Sequence, residues 1–280
     1  MSKMLLSAFA DEYADSTLDQ LQALRDFGIG HIEVRHLNGK NISVLSADEV
    51  KEAKRMLDHY GIRASAIGSP LGKVKLDSDL DAHLQTAKGV FEAASILETK
   101  YIRMFSFYAP DGKNIADMRD EVFSELERLV SLAKSYGVVL CHANEANIYG
   151  DIPERCSELL NYFDGELKCV FDMGNFVLEN VEPCSAYEIL KDHIAYFHIK
   201  DALYEGAIVP AGKGEAKIKE ILEAHKIYSK NDFFVSLEPH LQTFSGLNAL
   251  VGRSFTNPYQ YPDAKTAFAD AVKQFKELDL

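Results

Sequence analysis

The sequence lacks the features that mark a disulfide-rich or membrane-spanning protein. Its 280 residues include no tryptophan, 4 cysteines and 8 prolines, and no uninterrupted apolar run exceeds four residues. A membrane-spanning helix needs about 20 apolar residues, and four cysteines in so long a chain, with no C-x-x-C pair, do not resemble a disulfide framework. We therefore expect reduced cysteines and no integral membrane segment.

Basic residues are also scarce. Lysine and arginine number 30 against 43 aspartates and glutamates, which gives a formal charge of −13. That charge would repel a polyanion, so nucleic acid is not an expected partner. The apolar stretch before Asp11 is too short for a signal peptide. We therefore expect a cytoplasmic protein.

A unit of helix, glycine and strand recurs along the chain. An aromatic residue, a glycine and a β-branched residue stand together at Gly28, Gly61 and Gly137, in each case after a segment with helical periodicity. A glycine at that point is typical of a helix that ends in a left-handed residue. Ser46 and Glu49 have the spacing of a capping box, which predicts the start of one of these helices.

Apolar runs between the helical segments predict eight β-strands. Strands that alternate with helices form a parallel sheet, and eight such units in 280 residues match the size of a closed (β/α)8 TIM barrel. We therefore predict a single barrel domain over residues 1–280. The alternative is an open doubly wound sheet, but the G-x-G-x-x-G fingerprint is absent after the first strand. The predicted strands cover residues 4–10, 31–35, 63–68, 101–107, 138–144, 169–172, 196–199 and 233–237.

Acidic residues and a histidine end four successive predicted strands. Glu145, Asp172, His198 and Glu238 would stand side by side at the carboxyl end of the barrel, where the active sites of such barrels lie. Clustered carboxylates repel one another unless a cation neutralises them. Three carboxylates and one imidazole suit Mn²⁺ or Mg²⁺. The alternative is that each acid caps a helix or pairs with a nearby lysine or arginine.

These strand ends resemble those of the xylose isomerase-like barrel superfamily, in its sugar phosphate isomerase/epimerase branch. The resemblance covers nearly the whole chain, and the four-strand set is more specific than any single motif. The segments that carry it are Asn144-Glu145, Asp172-x-x-Asn175, His198-x-Lys200-Asp201 and Leu237-Glu238-Pro239.

The resemblance to ketose 3-epimerases implies an activity and a set of roles. Glu145, Asp172, His198 and Glu238 would bind one divalent metal, with Mn²⁺ favoured over Mg²⁺, Co²⁺ or Zn²⁺. Glu145 and Glu238 would also be the proton-transfer pair, because isomerising a ketose through an enediolate needs an acid and a base. The expected function is a metal-dependent isomerase or epimerase of a sugar or sugar phosphate, in carbohydrate metabolism.

Five residues are predicted to contact the substrate. They are Glu33, Lys73, Asn175, Lys200 and His240. Glu33, Lys200 and His240 would point inward by strand alternation, although Glu33 has an alternative as an ion-pair partner. Lys73 follows a glycine-rich loop that could bind phosphate or form a plain turn. Asn175 stands where those epimerases carry histidine, which leaves the particular sugar open.

Three other functions are compatible with the scaffold. An inosose dehydratase-like lyase would use the same metal and bases, and a sugar-binding relative would need no chemistry. An endonuclease IV-like activity is disfavoured, because the further histidines of its three-metal site are absent and the net charge is −13. The segment 241–261 could cover the site or form a homo-oligomer contact.

Overall fold

Eight parallel strands alternate with helices along the chain. The computed structural model describes residues 2–242 and 258–280, so most of the segment 241–261 lies outside the described residues. Each observed strand overlaps its predicted segment, and the ends differ by at most three residues. The strands are β1 (Met4–Ala8), β2 (His31–Val34), β3 (Arg63–Ile67), β4 (Tyr101–Met104), β5 (Val139–Ala143), β6 (Leu167–Asp172), β7 (Ile194–Ile199) and β8 (Phe233–Leu237).

The strands form one sheet that is nearly closed into a barrel. The order around the sheet is β1, β8, β7, β6, β5, β4, β3, β2, and all the hydrogen-bonded neighbours are parallel. The two ends of this order, β1 and β2, lie in contact with each other. The predicted (β/α)8 TIM barrel is confirmed.

Helices cover the outside of this barrel. Gly61 ends α2 (Ala47–Tyr60) and Gly137 ends α4 (Arg119–Tyr136), with φ of +68° and +70°, a backbone conformation that glycine adopts without strain. The capping box of Ser46 and Glu49 starts α2. None of the helices in the described part of the chain is both long and apolar enough to cross a membrane. The helices are α1 (Thr17–Asp26), α2 (Ala47–Tyr60), α3 (Leu80–Ile96), α4 (Arg119–Tyr136), α5 (Pro153–Tyr162), α6 (Met173–Leu178), α7 (Pro183–Leu190), α8 (Ile218–Tyr228) and α9 (Ala264–Lys276).

Apolar side chains form a layer between strands and helices and a smaller cluster in the barrel interior. The interior cluster includes Ala66, Cys141, Val170 and Tyr196, which are at most 2% exposed. The four cysteines are free, and Cys184 is the only one of them that is not buried.

Two short antiparallel strand pairs, which the sequence does not reveal, extend the carboxyl end of the barrel. One pair joins residues 36–37 to 40–41 after β2, and the other joins 201–202 to 208–209 after β7. Elements of two residues are too short to leave a periodic pattern. Both pairs reach the rim where the strand ends meet, and Ile208 of the second pair lines a cavity there.

The loop of this second pair is held by one buried carboxylate. Asp201 accepts hydrogen bonds from the backbone N–H groups of Ala202, Gly212, Gly214 and Ala216, at 2.8–3.0 Å. A Cβ atom on Gly214 would lie 2.3 Å from Asp201 Oδ1, so a side chain there would push the loop away from its anchor. The four bonds fix the loop against the end of β7.

Candidate active site at the carboxyl end of the barrel

Strand register brings three of the four predicted metal ligands together. Asp172 of β6 is opposite His198 of β7, which in turn is opposite Ser236 of β8, two residues before Glu238. Asp172, His198 and Glu238 each offer one ligand atom, and these atoms lie within 4.8 Å of one another. All three side chains are buried. The described residues therefore include a group that could hold a metal ion at the expected end of the barrel.

His198 is held between carboxylates on both of its ring nitrogens. Its Nδ1 lies 3.1 Å from Glu238 Oε2 and 4.0 Å from Asp172 Oδ2, while Nε2 lies 3.1 Å from Glu33 Oε2. Burial alone would lower the pKa of His198, but the negative charges of Glu33 and Glu238 outweigh it and raise the pKa to about 9. A carboxylate behind a histidine is also the usual way to orient an imidazole toward a metal.

Glu33 itself is fully buried beneath this histidine. It accepts a hydrogen bond of 2.9 Å from the Tyr196 hydroxyl in addition to its contact with His198. Tyr196 and His198 lie two residues apart on β7 and point to the same side, as strand geometry requires. The structure thus places Glu33 against the histidine rather than against Arg35 or Arg63.

Glu238 is surrounded by hydrogen-bond donors. Arg35 and Arg103 contact its Oε1 at 3.0 and 3.1 Å, and Lys200 contacts its Oε2 at 3.3 Å, beside His198. Burial would raise the pKa of Glu238, but Lys200 and His198 hold it well below its usual range. The side chain is therefore ionised at neutral pH.

Lys200 occupies the centre of the acidic group. Its Nζ lies 2.8 Å from Asp172 Oδ2, 3.1 Å from Asn175 Oδ1 and 3.3 Å from Glu238 Oε2, and the residue is 4% exposed. Burial opposes its charge, but Asp172 and Glu238 keep the pKa of Lys200 above its ordinary value. Asp172 also caps α6 by accepting the Asn175 backbone N–H at 2.9 Å. Asp172, one of the four predicted metal ligands, therefore caps a helix and pairs with a lysine, which is the alternative to metal binding that the sequence left open.

Glu145, the fourth predicted ligand, lies apart from the group of three. It follows β5 by two residues, and its Oε2 lies 2.8 Å from Lys73 Nζ. These side chains are 13% and 14% exposed, whereas Asp172 is fully buried. The structure therefore brings Glu145 to the same cavity but in an ion pair with a lysine.

A cavity of about 100 Å³ lies between these residues. Glu145, Asn175, Lys200 and Glu238 contribute to its lining from the segments that follow strands β5 to β8, and His240 lies two residues past Glu238. The backbone N–H of His240 also donates to Glu12 at 2.8 Å, and burial raises the pKa of Glu12 to about 8. Of the five predicted substrate contacts, Lys73, Asn175, Lys200 and His240 line this cavity.

Two arginines belong to the site, although the sequence does not assign them a role there. Arg35 and Arg103 line the cavity and share Glu238 Oε1. Arg35 also reaches Asp11 at 2.7 Å and Glu12 at 3.3 Å. The sequence offers one signal for each of them. Arg103 is a charged residue within an apolar strand, and Arg35 is two residues from Glu33, so strand alternation would point both to the same side. Neither signal identifies the partner across the barrel.

The residue types present fit a divalent ion. Two carboxylates offer the hard oxygen ligands that Mn²⁺ and Mg²⁺ prefer. His198 Nδ1 faces these carboxylates while Glu33 holds the opposite ring nitrogen, which is the arrangement of a metal-binding histidine. Asp172, His198 and Glu238 would hold such an ion.

Comparison with known proteins agrees with this fold. Residues 21–242 match the family described as Xylose isomerase-like TIM barrel. The match covers most of the chain, which therefore belongs to this family. No curated protein matches the sequence.

Solved structures of the same fold include epimerases and a dehydratase. A D-psicose 3-epimerase from Clostridium cellulolyticum H10, solved with D-tagatose, is 14% identical, with a TM-score of 0.72 over 99% of this chain and 98% of that chain. The probable 3-DHS dehydratase AsbF from Bacillus anthracis is 18% identical, with a TM-score of 0.71 over 99% of both chains. The IOLI protein with a binding zinc atom is 18% identical, with a TM-score of 0.70 over 99% and 98%. At these identities the likeness shows the fold.

Proposed function

We propose that this protein is a divalent-metal-dependent isomerase or epimerase of a sugar or sugar phosphate, which acts by proton transfer through an enediolate. The observation that carries the proposal is the group of Asp172, His198 and Glu238 at the carboxyl end of the barrel. The D-psicose 3-epimerase of the same fold supports the assignment of the reaction class. We expect Mn²⁺ as the ion, ahead of Mg²⁺, Co²⁺ or Zn²⁺.

When bound, the ion would act as a Lewis acid toward the carbonyl and hydroxyl oxygens of the substrate. The protein residues supply the proton transfers. Glu145 and Glu238 follow β5 and β8, which are separated by two strands in the sheet, and both line the cavity. Two carboxylates on different sides of a bound carbon can remove a proton from one face and return one to the other. We assign them as the proton-transfer pair, with Glu145 as the fourth metal ligand.

Neighbouring residues keep these carboxylates in a reactive state. Lys200 and His198 keep Glu238 ionised, as a base requires. Lys73 contacts Glu145 and would orient its carboxylate toward the cavity. Lys73, Asn175, Lys200 and His240 would hydrogen-bond the substrate, while Glu33 would act through His198.

A panel of free and phosphorylated ketoses tests this proposal. We would incubate Mn²⁺-loaded protein with each sugar in D₂O and follow the products by NMR. Deuterium at carbon 3 with inversion indicates an epimerase, and deuterium at carbon 1 with aldose formation indicates an isomerase. Loss of hydroxide would replace the proposal with a dehydratase, the class to which AsbF is assigned. No exchange with any sugar would contradict an enzymatic role and favour a sugar-binding protein.

A further inference from the structure

Lys200 places a cation against the same carboxylates that would bind the metal. Its Nζ contacts Asp172 Oδ2 at 2.8 Å and Glu238 Oε2 at 3.3 Å. Glu238 Oε2 is also the oxygen that faces His198 Nδ1, at 3.1 Å. The ammonium group and a divalent ion would therefore bind to overlapping sets of oxygen atoms.

The fold around Lys200 is shaped for its side chain. Lys200 follows β7 directly and is two residues from His198, so both side chains point inward. Gly174 of α6 packs against it, and a Cβ atom on Gly174 would lie 2.8 Å from Lys200 Cγ and 2.8 Å from its carbonyl oxygen. Asn175, also in α6, adds a third acceptor at 3.1 Å. The position of the ammonium group therefore follows from the packing of β7 against α6.

Other cations already balance the remaining acidic groups. Arg35 and Arg103 occupy the second oxygen of Glu238, and Lys73 pairs with Glu145. Each carboxylate that would bind the ion thus already has at least one positive partner at hydrogen-bond distance. An incoming divalent ion would meet like charges within a few ångströms, in a buried setting where repulsion is weakly screened.

We propose that Lys200 is a built-in competitor of the metal ion. The ammonium group lowers the affinity of Asp172 and Glu238 for a divalent cation, and binding of the ion displaces it toward the cavity that Lys200 already lines. This inference depends on the metal site of the proposed function, but it makes its own prediction about affinity. Removing the lysine strengthens metal binding instead of weakening it.

The test measures metal affinity directly. We would titrate Mn²⁺ alone into chelator-treated wild-type protein and into Lys200→Met by calorimetry, and count bound metal after dialysis by elemental analysis. The variant should bind Mn²⁺ on the order of 10²-fold more tightly, the size of effect that one nearby charge has on a buried ionic equilibrium. Lys134→Met is the matched control, because it removes the same charge from a side chain that is 70% exposed on α4. Its affinity should equal that of the wild type.

A second variant distinguishes the loss of charge from a folding defect. Lys200→Gln keeps a hydrogen-bond donor for Asp172 but removes the charge, and it should also bind Mn²⁺ more tightly. Equal affinity in wild type and both variants would overturn the competition and leave the metal site intact. Failure of every protein to bind Mn²⁺ would overturn both the competition and the metal site of the proposed function.

Discussion

The two halves of the barrel mouth line the cavity with opposite charges. Glu145, Asp172, His198 and Glu238 of the candidate site stand at or just after the ends of β5 to β8, whereas Arg35 follows β2, Lys73 lies in the loop after β3 and Arg103 is on β4. The ion pairs of Glu145 with Lys73 and of Glu238 with Arg35 and Arg103 join one half to the other. The difference shows that the acidic half can be buried because the other half neutralises it. Lys200 is the exception, a cation from the acidic half.

The largest effect on this balance should come from removing a buried arginine. Arg103→Met leaves Glu238 without one of its donors and also breaks the bonds of 3.2 and 3.4 Å from Arg103 to the carbonyl oxygens of Gly68 and Ser69. Breaking a buried pair in this way costs about 3–5 kcal/mol, which urea denaturation would measure. Arg128→Met, at a side chain that is 38% exposed, should cost less than about 1 kcal/mol. Equal losses in the two variants would contradict the proposed balance.

Removing either carboxylate of the proton-transfer pair should strongly lower turnover while retaining part of the proton exchange. Glu145→Gln and Glu238→Gln should each lower turnover by on the order of 10²-fold or more, the usual contribution of a positioned acid or base. Each variant should still exchange deuterium into one of two epimers, and the two should prefer opposite epimers. Metal binding should weaken less than in His198→Ala, which deletes a ligand. Loss of exchange with both epimers in both variants, with metal retained, would exclude the two-base assignment.

A histidine outside the barrel interior should make stability depend on pH. His142 of β5 contacts Ser106 Oγ at 2.9 Å, and burial lowers its pKa to about 3. The unfolded chain binds a proton at this residue below about pH 6.5 while the folded chain does not, so stability should fall as the pH decreases below that value. The decrease from pH 7 to pH 5 should be at most about 2 kcal/mol. His142→Gln should remove this part of the pH dependence, and an unchanged slope would show that other groups cause it.

The smallest effect on stability should come from the ion pair of Lys73 and Glu145. Lys73→Met removes the partner of Glu145, and because both side chains are 13–14% exposed, the free energy of unfolding should fall by about 1–2 kcal/mol, between the values for exposed and for fully buried ion pairs. If Lys73 binds phosphate, KM should rise for phosphorylated ketoses and stay constant for free ones. A rise in KM for both sugar types would indicate that Lys73 acts by positioning Glu145 rather than by binding phosphate.

The sequence predicts the acidic half of the site better than the basic half. Glu145, Asp172, His198 and Glu238 end four successive strands, so local alternation is sufficient to bring them to one rim. The contact of Arg103 with Glu238 joins residues 135 positions apart, and no periodic pattern records it. Lys200 is an intermediate case, because alternation predicts its inward direction but not its contacts with Asp172 and Asn175.

The eight strands are predictable for the same physical reason. The strands alternate with helices, and some of these helices end or begin with local glycine or capping signals, as at Gly61 and Gly137. The strand pairs at 36–41 and 201–209 depend on the rim of the finished barrel and leave no such signal. Local rules therefore account for the framework, and contacts between distant segments determine the details of the site.

The anchoring of the loop after β7 by Asp201 has a consequence for how this scaffold can change. The four backbone bonds to that carboxylate hold both ends of the loop, and the pairing of 201–202 with 208–209 adds to them, so the turn 203–207 lies outside both sets of contacts. Ile208, next to that turn, forms part of the cavity wall. We expect this turn to accept substitutions while the barrel and its ionic network stay the same.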